Sequence, residues 1–237
     1  NLTKEPPLLS SYWKYIYYRR ACDLKINDKI ILPTNLPEIK NDKESLQIAR
    51  LLGYILADGN IFIQKGKFKD GRGKWYNGTK ARIRINNDCD EVLSQAKKDF
   101  ETEFNIIAKR AKRKDCNCEI VETKHQRIVN KFVEFGIPSG NKSAIIRIPK
   151  IVFESSNKFK ANFISALFDC DGYINSSGRY IDYASKSKKF LEDLQVLLTH
   201  FKIESVIRIK NAKCNGKIFE NYRLFITDNT SVENFKK

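Results

Sequence analysis

Asp58 and Asp171 each close an otherwise apolar segment, and each is followed by glycine. The segments are Leu51-Leu52-Gly53-Tyr54-Ile55-Leu56-Ala57-Asp58-Gly59 and Ile164-Ser165-Ala166-Leu167-Phe168-Asp169-Cys170-Asp171-Gly172. A carboxylate among buried apolar residues needs a cation, a hydrogen-bond donor or water, because an unpaired buried charge is costly. At a helix C-terminus the requirement sharpens, since the helix dipole is already negative there. Two such ends brought together make a strongly anionic pocket, and a divalent metal is the natural compensation. Mg²⁺ suits it, because that ion takes a few carboxylates and completes its shell with water and phosphate oxygens.

The elements that must position these acids follow from the flanking pattern. A helix is expected from near Asn41, with Asn41 as cap and Glu44 three residues on, as in a capping box. Its apolar positions widen into an all-apolar last turn and a half, which predicts burial on every side. A second buried helix is expected from about Asn157. Gly53 and Ala57 are four apart, as are Ala166 and Cys170, and small residues at that spacing let two helix backbones approach closely. Gly59 and Gly172 are expected to take the left-handed turn that ends a helix. Downstream the order recurs with a period of 113 residues (58 to 171), too long for a solenoid. Each copy reads αββαββα. In the first, a long polar tip over Gln64 to Lys80 separates two strands, and a basic turn holds Lys109, Arg110, Lys112, Arg113 and Lys114.

The motif pair resembles the two motifs of monomeric LAGLIDADG homing endonucleases, over about residues 41–237. Leu56 replaces the acid usual at the sixth motif position, whereas the second motif keeps both acids. The resemblance implies an α+β fold of two pseudo-symmetric αββαββα repeats, 41–150 and 151–237. They would pack through their motif helices at Gly53, Ala57, Ala166 and Cys170, each repeat carrying a four-stranded antiparallel DNA-binding sheet. It implies that Asp58 and Asp171 bind metal, with the Ala57 and Cys170 carbonyls sharing in ligation. Mg²⁺ would be the cofactor and Mn²⁺ a substitute, and each aspartate would serve one DNA strand. It also implies a basic catalytic residue near each metal. Lys142 is the candidate in the first repeat; its counterpart falls beyond Lys237, so that either the chain is truncated there or Lys237 substitutes. Asn86 occupies a position where some relatives carry a water-organising polar residue.

Composition points to the same partner. Lys and Arg number 44 against 28 Asp and Glu, a formal charge of +16 that implies a polyanion, nucleic acid first. Ile83 and Ile85 alternate with Arg82 and Arg84, and Ile207 and Ile209 with Arg208 and Lys210. That is the pattern of strands with one face in a core and one basic face outward. A β-ribbon enters the DNA major groove, where strand arginines suit guanine edges and tip residues such as Lys65, Lys67, Arg72 and Lys74 suit phosphates.

Six cysteines form no CxxC pair and there are two histidines, so a zinc site is not expected and a reducing compartment is, the cytoplasm or an organellar matrix. No apolar run approaches the roughly 20 residues of a membrane span, and no signal peptide is evident. Residues 1–40 read as a separate extension. Asp23 to Pro33 resembles the late part of an intein splicing domain, and a DNA-binding arm is the alternative. The reading is a site-specific double-stranded DNA endonuclease, acting as a monomer with internal pseudo-two-fold symmetry, that leaves short 3′ overhangs. An intron RNA-binding maturase and a non-cutting DNA-binding regulator are the rivals.

Overall fold

Ser45 starts the first motif helix. Its Oγ accepts from the Ile48 N–H (3.2 Å) and opens α1, Leu46–Leu56. The expected cap, Asn41, lies outside the described residues, and Glu44 takes no part in a capping box: it accepts from Lys131 Nζ (2.7 Å) on a later helix. In α1 every residue from Leu51 to Leu56 is buried, so the helix is central, as its all-apolar sequence predicts. Ser156 caps the second motif helix, α5 (Asn157–Asp171), by accepting from the Phe159 N–H (3.1 Å).

The computed structural model describes residues 20–25, 28, 36–38, 42–112, 118–214 and 217–237. The chain forms two compact units, residues 1–33 and 34–237. In the first, the described residues include a single 3₁₀ turn, Ala21–Asp23, where the Arg20 guanidinium pairs with Asp23 (2.8 Å). Most of the strand expected after Asp23 lies outside the described residues.

The second unit holds both repeats. After α1 come β1 (Gly59–Lys69), β2 (Trp75–Asn87), α2 (Asp90–Phe104), β3 (Lys109–Lys112), β4 (Glu119–Thr123) and α3 (Gln126–Glu134). A one-turn helix, α4 (Lys150–Phe153), leads into α5. Then follow β5 (Gly172–Ile174), β6 (Ile181–Ser185), α6 (Lys188–Thr199), β7 (Val206–Cys214), β8 (Lys217–Ile226) and α7 (Asn229–Phe235). Two four-stranded sheets result, ordered β1-β2-β4-β3 and β5-β6-β8-β7, with every pairing antiparallel. The inner faces, Ile83, Ile85 and Val121 in one and Ile181, Tyr183 and Leu224 in the other, are buried in the core shared with the helices. This is the αββαββα repeat and fold class expected. Among the described residues no helix is long and apolar enough to cross a membrane.

Several local expectations are corrected. The polar stretch from Gln64 to Lys80 is not a loop: β1 and β2 stay paired out to Lys69 and Trp75, and the tip is only Asp70 to Lys74. Phe68 sits opposite Tyr76 in register, Lys80 lies over the Phe68 ring (4.3 Å), and the Asp70 carboxylate accepts the Arg72 and Lys74 N–H groups. A ribbon wet on both faces shows no hydrophobic alternation, which hid it. On the edge strand β7 Ile207 packs on the core, but Ile209 is 63% exposed. Lys109 to Lys112 form a strand rather than a turn; Arg113 and Lys114 lie outside the described residues.

Neither motif glycine adopts a left-handed conformation. Gly172 has φ −75° and ψ 150°, and Gly59 is likewise absent from the positive-φ glycines. Their reason is crowding: a Cβ on Gly59 would stand 2.5 Å from Ile55 Cα, and one on Gly172 2.5 Å from Phe168 O.

The close approach of α1 and α5 is set at Gly53. A Cβ there would meet Ala166 Cβ and the Phe163 carbonyl oxygen, each at 2.7 Å. Arg50 ties the crossing at its far end, with a bidentate bond to buried Asp99 on α2 (2.8 and 2.6 Å) and a third bond to Asn162 on α5 (2.8 Å). Within an ordinary helix Gly→Ala is stabilising by roughly 0.5–1 kcal/mol. Here overpacking should reverse the sign, so Gly53→Ala is expected to destabilise by about 2 kcal/mol. The thermal midpoint should fall by roughly 4–8 °C in a scanning calorimeter; a midpoint that rises would show that the helices do not depend on this contact.

Candidate active site

The crossing of α1 and α5 delivers both motif aspartates to one place. The Cys170 side chain, one residue before Asp171, lies within range of the Asp58 charge of the other repeat. The charges also act on each other. Burial and the neighbouring Asp58 charge push the Asp171 carboxyl up, opposed by Tyr183 and Lys142. Burial pushes the Cys170 thiol far up as well, with Asp58 adding to the effect.

Lys142 reaches this point from the segment after α3. The chain turns at Gly136 (φ +95°), Ser139 bridges to Ile61, and the Gly140 N–H donates to Ile61 O (2.9 Å). The ammonium then donates to the main-chain oxygens of Leu56 and Ala57, the latter at 3.1 Å. It therefore satisfies the free carbonyls at the end of α1. Burial pushes its pKa down, while the Asp171 and Asp58 charges push it back up. Lys237, by contrast, donates to Asn234 Oδ1 (3.3 Å). Ile61 is fully buried beneath the segment that carries Lys142, whereas its counterpart Ile174 is 61% exposed. A cavity of about 480 Å³, lined in part by Ile164, Phe168, Phe201 and Phe235, opens beside Ile174.

Asn86 bonds Asp58 through its main-chain oxygen, which accepts from both the Asn86 N–H and its Nδ2 (3.2 Å each). Two groups that contact the carboxylates themselves escaped the sequence reading. Asn87 Nδ2 donates to Asp58 Oδ2 (2.6 Å), and the Tyr183 hydroxyl donates to Asp171 Oδ2 (3.3 Å). Asn87 could have been suspected from its place beside Asn86. Tyr183 carries no such signal, because strand alternation presents it as a core residue.

Of the proposed interface residues, Gly53 and Ala166 meet directly, Ala57 contributes its carbonyl to Lys142, and Cys170 lies in range of the Asp58 charge. Among the described residues no three His, Cys, Asp or Glu side chains gather as a metal cluster. The candidate donors, two carboxylates and helix-end carbonyls, are all oxygen. That set fits a hard divalent ion completed by water and phosphate.

The candidate DNA-contact residues divide by environment. Lys65, Lys67, Arg72 and Lys74 are exposed along the ribbon and its tip, and Arg208 and Lys210 are exposed on β7. Arg82 stacks on the Phe62 ring (4.6 Å), and its buried Nε has no partner. Arg84 is not free: its Nε is paired with buried Glu122.

Comparison with known proteins agrees with this architecture. Residues 158–237 match the family described as a LAGLIDADG-like domain. The crystal structure of the homing endonuclease I-DmoI in complex with DNA and Mn superposes with a TM-score of 0.54 at 16% identity, covering 80% of this chain and 93% of that one. The fold is thereby that of I-DmoI: two αββαββα repeats packed through their first helices. The family match lies in the second repeat, and the likeness of fold extends over both. Two curated relatives from Methanocaldococcus jannaschii match as well. One is glutamine–fructose-6-phosphate aminotransferase, 30% identical over 81% of this chain. The other is the probable translation initiation factor IF-2, 34% identical over 65%. The matched regions are 16% and 13% of those proteins' lengths.

An ammonium and a divalent ion are alternative ways to offset the Asp58–Asp171 repulsion. Lys142→Met should therefore bind Mg²⁺ about tenfold more tightly. At saturating Mg²⁺ its thermal midpoint should rise roughly 3–6 °C further above its metal-free value than the wild type's does. Equal rises in the two proteins would place Lys142 outside the electrostatics of the pair.

Proposed function

We propose that this chain is a divalent-metal-dependent endonuclease that cuts both strands of duplex DNA at a long, specific site. The observation that carries the proposal is the pairing of Asp58 and Asp171 at the ends of two crossing helices, within range of each other's charge, with the Lys142 ammonium on the last carbonyls of α1. Beside them stand two sheets whose inner faces are apolar and whose outward residues include Arg82, Arg208 and the lysine-rich ribbon. The relative of like fold was solved with DNA and Mn, which supports the same reading.

Each repeat, 41–150 and 151–237, serves one half of the site, and the monomer's internal pseudo-two-fold axis takes the place of a dimer axis. The carboxylates of Asp58 and Asp171, with the Ala57 and Cys170 carbonyls, would hold Mg²⁺ or Mn²⁺. When bound, such an ion supplies charge stabilisation at the scissile phosphate and makes water a better nucleophile. Lys142 adds a fixed positive charge where negative charge grows on the phosphate, in a partly buried setting that strengthens it. Hydrolysis adds water across one P–O bond on each strand, and cuts offset across the minor groove leave short 3′ overhangs. The exposed lysines of the ribbon neutralise phosphates, and Arg82 is poised for a base edge.

The curated matches support a mobile origin. One region recurs inside an aminotransferase and a translation initiation factor, proteins whose names share no activity. A module that moves between genes accounts for that recurrence, and an intein-borne origin fits the extension before residue 41.

The test is cleavage of a randomised duplex-DNA library with Mg²⁺ against an EDTA control, with sequencing of the ends. A recurring long site with short 3′ overhangs is expected. Asp58→Asn and Asp171→Asn should each abolish double-strand cleavage and keep DNA affinity. Full activity in either variant would refute the assignment, and binding without cutting in Mg²⁺ or Mn²⁺ would favour a DNA-binding regulator instead.

A further inference from the structure

The two repeats hold their aspartates with different groups. Strand register makes the equivalence plain: Gly59 pairs with Ile85, and Gly172 with Tyr183. Ile85 and Tyr183 are thus counterparts, as are Asn87 and Ser185 two residues on, which share the strand face of their partners. Asn87 uses both ends of its amide. Its Oδ1 accepts the Cys89 N–H (2.7 Å) and its Nδ2 donates to Asp58 (2.6 Å). Ser185 keeps only the first role, accepting the Ser187 N–H at 3.1 Å. A serine side chain is too short for the second. The donor missing at 185 is supplied from 183, one alternation earlier on the same face, where the first repeat has an isoleucine.

Tyr183 is built for one orientation. It is 2% exposed, and its ring packs edge-on against Phe168 (centroids 5.2 Å apart, planes at 63°) and against Phe190 at 5.8 Å. A buried hydroxyl must find a partner, and Asp171 Oδ2 is the one it has. Asn87, 9% exposed, is nearly as enclosed.

We propose that Asn87 and Tyr183 are the positioning residues of two chemically unlike half-sites, each fixing the aspartate of its own repeat and so governing cleavage of one DNA strand. This rests on the endonuclease reading above. The same offset that makes the halves unlike lets each be weakened alone. Tyr183→Phe keeps the ring and deletes the hydroxyl. Asn87→Ser keeps the turn bond, as Ser185 does, and deletes the donor.

The experiment measures two things in the full chain. The first is the single-turnover rate on each strand, end-labelled separately, of the duplex recovered from the randomised library. The second is Mn²⁺ affinity without DNA, read from the electron paramagnetic resonance of free Mn²⁺. Tyr183→Phe should slow one strand about tenfold and leave the other within about twofold, so that nicked duplex accumulates. Asn87→Ser should slow the opposite strand, and each variant should lose Mn²⁺ affinity several-fold. Equal slowing of both strands by either variant, or unchanged Mn²⁺ affinity in both, overturns the proposal. Should the wild type cut neither strand while both variants still lose Mn²⁺ affinity, the endonuclease reading fails and the anchoring roles stand.

Discussion

The backbone contact between α1 and α5 at Gly53 and Ala166 is the constraint on which the rest depends. It fixes how far apart two helix ends can be, and each end carries an aspartate. With any larger residue at Gly53 the helices must part, because the atoms a side chain would strike are Ala166 Cβ and the Phe163 carbonyl of α5 itself. The approach also sets the orientation of the sheets, since β1 and β5 leave directly from the two helix ends through Gly59 and Gly172. Both glycines are required by a different crowding, against the last turns of their own helices at Ile55 and Phe168.

That contact creates an electrostatic problem, and much of the local chemistry answers it. Two carboxylates and two negative helix ends share a partly enclosed space. The fold meets them with one ammonium, two asparagines and a tyrosine hydroxyl, drawn from four positions scattered along the chain. The answer is unequal. Lys142 and the asparagines attend the α1 end, whereas Tyr183 attends the α5 end. Two copies of one repeat thus hold identical acids with different groups on a shared αββαββα frame.

Much of this was legible in sequence because it violates a local expectation. An acid closing an apolar helix, twice, with small residues at matching offsets, has few explanations other than paired helices and a cation. The duplicated pattern then gave element order and fold. Lys142 was legible only through the family resemblance, since nothing in its neighbours marks it. Tyr183 was not legible, and Asn87 was marked only by its place beside Asn86, because strand register decides which residue faces an aspartate, and register is a long-range property. The ribbon of β1 and β2 was read as loop because both its faces meet water, and periodicity reports burial rather than pairing. Ser45 displaced the expected cap because its hydroxyl stands directly before the first helical residue and accepts the Ile48 N–H.

The central claim is that Asp58 and Asp171 form one divalent-ion site across the helix contact. Anomalous diffraction from crystals grown with Mn²⁺ tests it most directly. Density for Mn²⁺ bound to both carboxylates, beside the Ala57 and Cys170 carbonyls, is the predicted result. Mn²⁺ ordered elsewhere on the chain, with these two aspartates bare, would contradict the account.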